Sequence, residues 1–224
     1  MSEKNIFGSN LRNRIILYLL GNFILAFGLV LIAKSNIGIT PVNSIAYVFS
    51  RILDKDHGLM TTIVYSSYLL VQIVILRKEF HPVQLLQIVF SVIFGFFVSF
   101  WHSVLFFFTP EIYWTRLLLV VLSIFINAFG LLLYLKADLI PLPPDGLNLA
   151  IQKKTGWKLY KIKIAMDCVF LVIAAIISFC IARKNIGFRE GTVFMLCIGQ
   201  VMGVFSKHLG PKIDRLFKLE PGQV

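Results

Sequence analysis

The sequence predicts an all-α integral membrane protein: six full-length transmembrane helices plus two short re-entrant or interfacial helices, built as two internal repeats. Three observations predict it. Hydrophobic residues make up 58% of the 224-residue chain and charged residues 15%, where an ordinary soluble domain has about 45–50% and about 25%. A soluble fold of this length has too little interior to hide so much apolar side chain, and the mean hydropathy is +0.82. Six apolar stretches approach the ~20 residues that a helix needs to cross a hydrocarbon core ~30 Å thick. Finally, the chain matches itself when shifted by 102 residues.

In chain order, residues 1–13 form a polar lead, followed by the apolar stretch Ile15–Ala33. That stretch is too long and too late to be only a secretory signal, and no small-residue cleavage site follows it. An irregular polar run, Ser35–Thr40, leads into Pro41–Leu53, which is 13 residues long, or ~20 Å of helix at 1.5 Å per residue. Met60–Leu76 and Val83–Trp101 are again long enough to span. The second half repeats the order: Leu117–Leu135, the irregular Ala137–Leu142, the short Pro143–Lys153, then Ile162–Ala182 and Thr192–Phe205. The last stretch is short, and Ile186–Phe188 extends it. A polar tail, 207–224, carries one amphipathic turn near Ile213–Phe217. The repeats are assigned to residues 14–109 and 110–206. Short apolar pieces after irregular backbone belong inside a bundle or beside a wet cavity, because lipid cannot satisfy such backbone.

The self-match is gapless over its best part. Ala26-Phe27-Gly28-Leu29 returns as Ala128-Phe129-Gly130-Leu131, and Lys34-Ser35-Asn36-Ile37 as Lys136-Ala137-Asp138-Leu139. Pro41-x-Asn43-Ser44-Ile45 returns as Pro143-x-Asp145-Gly146-Leu147. A difference in loop length then shifts the frame to an offset of 104, and Gly95-x-x-x-Ser99 matches Gly199-x-x-x-Gly203. With three spans per half the second repeat is inverted, the layout of many secondary transporters. With four it is parallel. The basic residues divide fifteen to seven in favour of the side holding both ends, so both termini are expected in the cytoplasm. Full crossing by both short helices leaves that split unchanged.

These residues resemble a known family. Lys34-Ser35-Asn36-Ile37-Gly38-Ile39-Thr40-Pro41 is similar to the K-x-N-x-G-x-x-P turn of the YczE/YyaS/YitT family of bacterial multi-pass membrane proteins. Pro144-Asp145-Gly146-Leu147 followed by Thr155-Gly156 resembles that family's P-x-D-G-L and TG pattern, and Asp167, Gly187 and Gly191-Thr192 also fit. The sequence departs from the pattern at Asn43, where the family more often has Asp, and at Phe80-His81-Pro82, which replaces a glycine-rich lead into the third span. The resemblance implies a bacterial cytoplasmic (inner) membrane protein and no established reaction.

Five polar residues stand out as candidate ligands for a small solute or ion. Asp167 lies inside the fifth span, where a carboxylate costs several kcal/mol unless paired or wet; pairing with Lys163, four residues earlier, is the plainer account. Asn43 and Asp145 begin the two short helices, as helix caps do. Two opposed helix N-termini also make a polar centre that suits an anionic group, with Asp145 reserved for a cation, proton or amine. Lys34 and Lys136 end the first and fourth spans, where snorkelling explains each alone. Pro41 and Pro143 fix the structural breaks. Asn22, Gln72, Gln87, Asn127 and Gln200 read as interhelical hydrogen bonders, and the four histidines show no ligand spacing.

Nothing points to an enzyme: there is no P-loop, nucleophile elbow or His-Glu-x-x-His. Three cysteines without a Cys-x-x-Cys pair give neither a disulfide framework nor a structural zinc site, and no cofactor is expected. The net charge of +11 gathers on one membrane face, so its partner is anionic lipid rather than nucleic acid. Expected partners are the bilayer and a small-molecule or ion substrate; the oligomeric state is open. The leading expectation is a small secondary-type transporter, and the rival is a non-transporting assembly or regulatory factor.

Overall fold

A computed structural model describes residues 11–181, 183, 186 and 190–217. Among the described residues nine α-helices run in order: α1 Leu11–Ser35, α2 Ser44–Leu53, α3 His57–Leu76, α4 Leu86–Val104, α5 Tyr113–Lys136, α6 Pro143–Thr155, α7 Leu159–Ile181, α8 Glu190–Phe194 and α9 Ile198–Phe217. No strand occurs among the described residues. Among the described residues five helical runs are long and apolar enough to cross a membrane: Leu11–Ser35, His57–Glu79, Pro82–Val104, Tyr113–Lys136 and Lys161–Ile181. The chain is therefore an all-helical protein of multi-pass membrane type.

The sixth expected span differs. Thr192–Phe205 is divided among α8, a 3₁₀ turn at Met195–Cys197, and the first half of α9. Instead of ending at Phe205, α9 carries on to Phe217 through Pro211, so part of the expected tail is helical. Its outer half is held by a tertiary contact: Asp214 pairs with Lys136 at 2.6 Å, and both are largely buried. The expected lead also shortens, because Leu11–Asn13 already belongs to α1.

The centre of the bundle is the crossing of α1 and α5. A Cβ on Gly21 would lie 2.5 Å from the Tyr134 nitrogen, one on Gly130 2.6 Å from the Leu25 nitrogen, and one on Gly28 2.5 Å from Asn127 Nδ2. Small residues let membrane helices approach this closely and gain dispersion and weak polar contacts that larger side chains would block. Gly28 facing Asn127 and Gly130 facing Leu25 also means the two helices run antiparallel. By contrast α4 runs parallel to α1, with Phe23 against Phe97 and Phe27 against Trp101. In the same sense α9 runs parallel to α5, with Phe125 against Phe205 and Lys136 against Asp214.

The short helices α2 and α6 each pack on both α3 and α7, inside the bundle rather than on its surface. Each ends on a left-handed residue, Asp54 (φ 49°) and Gly156 (φ 70°). Each is preceded by another, Asn36 (φ 57°) and Asp138 (φ 45°). Asn, Asp and Gly are the residues that adopt this conformation at least cost. One difference separates the halves. Gly58 of α3 is pressed against Gly95 and Ser99 of α4, whereas Gly199 and Gly203 of α9 have nothing within 4 Å.

Candidate functional site

Two polar centres flank a pair of stacked rings, Tyr68 and Phe170, whose centroids are 4.8 Å apart. The first centre is built on α6. Pro143 and Pro144 open this helix, since proline is pre-shaped for the first turn and has no N–H to leave unpaired. Asp145 follows at the third position, where the positive end of the helix favours a carboxylate. It makes no cap; the capping residue is Leu142, which has no side-chain bond to offer. Instead Asp145 Oδ2 accepts from the Tyr134 hydroxyl at 3.2 Å, and Oδ1 lies 3.8 Å from Lys163 Nζ. Tyr134 is held in turn by the Leu142 N–H, which donates to its hydroxyl at 2.6 Å.

The expected Lys163–Asp167 pair is thus not the one formed. Lys163 leans across to Asp145 on the neighbouring helix, and Asp167, half-buried one turn further along α7, stays within electrostatic range of both. The side chains of Asp145 and Lys163 are 26% and 36% exposed. Behind them stand four buried tyrosines, Tyr18, Tyr65, Tyr68 and Tyr134. The rings of Tyr18 and Tyr134 meet edge-on at 5.4 Å, and those of Tyr65 and Tyr68 at 6.0 Å. The Tyr18 and Tyr68 hydroxyls are buried and make no hydrogen bond.

The second centre is built on the start of α2. Asn43 precedes that helix but does not cap it with its side chain. Its Nδ2 donates to His57 Nε2 at 2.9 Å, and its Oδ1 accepts from the Thr61 hydroxyl at 3.2 Å. With Nε2 accepting, the ring proton belongs on Nδ1, an atom that is buried and makes no hydrogen bond. All three residues are sealed from solvent. Along α3 they continue as one buried face, His57, Thr61, Tyr65, Tyr68 and Gln72, a stripe ~22 Å long at 1.5 Å per residue.

Lys34 and Lys136 stand apart from both centres. Lys34 Nζ donates to the Phe106 carbonyl at 3.3 Å and lies over the Phe106 ring, while Lys136 is bound to Asp214. Each ties the end of its helix to the end of a parallel neighbour. Pro41 opens the 3₁₀ turn Pro41–Asn43, and Pro143 opens α6, as expected. The two irregular turns dock on backbone. Gly191 N donates to the Ile37 carbonyl at 2.8 Å, and Gln72 Nε2 donates to the Pro143 carbonyl at 2.9 Å while pairing with Gln87. The Gln72–Gln87 pair is the interhelical bond the sequence suggests; Asn22 and Asn127 bond back to their own helices.

The family match spans nearly all of this architecture. The chain belongs to DUF6198, a family of unknown function, which matches residues 12–207. No curated protein and no solved structure matches it. In this DUF6198 member every residue of both centres lies inside the matched stretch. Among its described residues no group of three His, Cys, Asp or Glu side chains could hold a metal ion. Thr61 and the four tyrosines escape the sequence reading, and His57 enters it only as a histidine without ligand spacing. One signal for them was available: Thr61 and Lys163 are separated by the same 102 positions as Asn43 and Asp145.

Proposed function

We propose that this DUF6198 protein is a small secondary-type carrier of a bacterial inner membrane, with six crossings, two inverted repeats and both termini in the cytoplasm. One observation carries the reading. Asn43 bonds Thr61 in one half and Asp145 faces Lys163 in the other, with both members of each pair displaced by 102 residues and Tyr68 stacked on Phe170 between them. One pair is sealed and its counterpart half-open. A carrier built from inverted repeats works by exchanging the arrangements of its two halves about a fixed central site, and one closed and one open copy fit a single stage of that exchange.

The antiparallel course of α5 against α1 supports three crossings in the first half, since a fourth would make them parallel. The exposed carboxylate in the open half supports a solute-binding role, because an ionisable group kept at that depth is costly without one. The likeness to the YczE/YyaS/YitT proteins agrees with a bacterial inner-membrane setting.

The test is thermal melting of the purified protein against a panel of small solutes. A ligand of the native state raises stability progressively with its concentration, and Asp145→Ala should remove the response. If no solute shifts the melting while a specific protein co-purifies, the chain is an assembly or regulatory factor instead.

A further inference from the structure

We infer that the half-open centre takes an organic monocation, a primary or quaternary ammonium, and that Lys163 is its built-in competitor. The inference rests on the carrier reading and narrows its substrate class. Charge comes first: Asp145 and Asp167 face one ammonium, that of Lys163, leaving an excess of one negative charge. The N-terminal end of α6, which would otherwise welcome an anion, is already occupied by the Asp145 carboxylate. The paired centre across the bundle, Asn43 with Thr61, adds no charge. One unit of positive charge therefore balances the site.

The ion pair already there is loose. Its 3.8 Å separation compares with ~2.7–2.9 Å for a charge-assisted hydrogen bond. An incoming ammonium can take the Asp145 oxygen while Lys163 moves outward into the accessible space that its 36% exposed side chain already reaches. The walls point the same way. The Tyr134 hydroxyl donates to Asp145 Oδ2 at 3.2 Å, and the Tyr18 ring meets that of Tyr134 edge-on at 5.4 Å, so the carboxylate sits against aromatic side chains of the kind that attract cations. Tyr18 is 1% exposed, and its hydroxyl makes no hydrogen bond. A polar group buried without a partner is costly, and a bound amine or its water would supply one.

The test uses the full-length protein in detergent at constant ionic strength set with sodium chloride. Melting is followed with methylammonium, tetramethylammonium and phenethylammonium, and separately with acetate and phenylacetate. At least one ammonium ion should stabilise the protein and the anions should not. Asp145→Asn should abolish the effect. Lys163→Met should tighten the apparent cation affinity about three- to fivefold, the size set by releasing a half-exposed ion pair, while Lys163→Arg should stay near wild type. Weaker or unchanged cation binding in Lys163→Met overturns the proposal, as does stabilisation by the anions. If a non-cationic solute stabilises the protein through Asp145, the carrier reading stands and the cation proposal falls. If no solute does, both fall. Should Asp145→Asn not fold, Asp167→Asn must weaken the cation effect for the proposal to stand.

Discussion

Tyr68 of α3 and Phe170 of α7 stack at 4.8 Å, their planes 23° from parallel, and 102 residues separate them. Two positions related by a two-fold operation touch each other only on the axis itself. The same spacing relates the left-handed residues Asn36 and Asp138, and Asp54 and Gly156. It also turns the contact of Gly28 with Asn127 into that of Gly130 with Leu25. On the repeat reading, the axis passes through the α1–α5 crossing and this ring pair.

Removing the ring at either position should therefore weaken the joint between the halves. Phe170→Leu should lower stability by about 1 kcal/mol, the worth of an aromatic pair beyond its buried area. Tyr68→Phe keeps the stack and removes a hydroxyl that is buried without a hydrogen bond, so it should be neutral or stabilising by about 1 kcal/mol. Thermal melting of the two variants in detergent decides. A destabilised Tyr68→Phe would mean that this hydroxyl has a partner.

The glycines divide into two groups with opposite expectations. Gly21→Ala and Gly130→Ala place a Cβ within 2.5–2.6 Å of backbone nitrogen on the partner helix. Backbone there cannot step aside without parting α1 from α5, so both should cost at least the 1–3 kcal/mol typical of overpacking. Gly199→Ala and Gly203→Ala meet open space and should stabilise α9 by about 0.5–1 kcal/mol. A common melting panel tests all four. Equal losses at both pairs would show that α9 is packed at Gly199 and Gly203.

Much of this was readable from the chain, and the failures share a cause. Long apolar runs and the two prolines announce α1, α3, α4, α5, α7 and both breaks, because span length and proline geometry are local properties. The last span was not readable to its end. Gly199, Gln200, Gly203 and Ser206 blur its hydropathy, and the contact that holds its outer half, Asp214 with Lys136, joins distant parts of the chain. The centre shows the same limit. Asp145, Asp167 and Asn43 stand out as polar residues among apolar ones, but Lys163 has two carboxylates within reach and only tertiary packing selects Asp145. Tyrosines and threonines are unremarkable in a membrane helix, so the face His57–Thr61–Tyr65–Tyr68–Gln72 emerges once α3 has neighbours.

The lysines at matching helix ends should respond differently to loss of charge. Lys136→Met strands Asp214, whose side chain is 13% exposed, and breaking a buried pair by removing one partner costs about 3–5 kcal/mol. The double variant Lys136→Met/Asp214→Leu should recover most of that loss. Lys34→Met removes a bond to the Phe106 carbonyl and a contact with the Phe106 ring, both at an exposed site, and should cost about 1 kcal/mol. Denaturation of the three variants checks the order, and a double variant no better than Lys136→Met would argue against the pair.

The sidedness of α3 gives the sharpest check on topology. Its start adjoins Asp54, the left-handed end of α2. Its far end leads to Glu79, which pairs with Lys153 and Lys154 at the end of α6. If α3 crosses the bilayer once between α1 and α4, Asp54 and Glu79 lie on opposite faces, with Lys154 on the side of Glu79. Single cysteines at these three positions, in a background with Cys168, Cys180 and Cys197 replaced, should separate under a membrane-impermeant thiol reagent applied to intact cells. Asp54→Cys should label from outside, whereas Glu79→Cys and Lys154→Cys should label only after the membrane is opened. The double variant Glu79→Cys/Lys154→Cys should also cross-link, since the two side chains are already in contact. Labelling of all three from one side would place both ends of α3 on the same face, and with it would go the inverted arrangement on which the carrier reading depends.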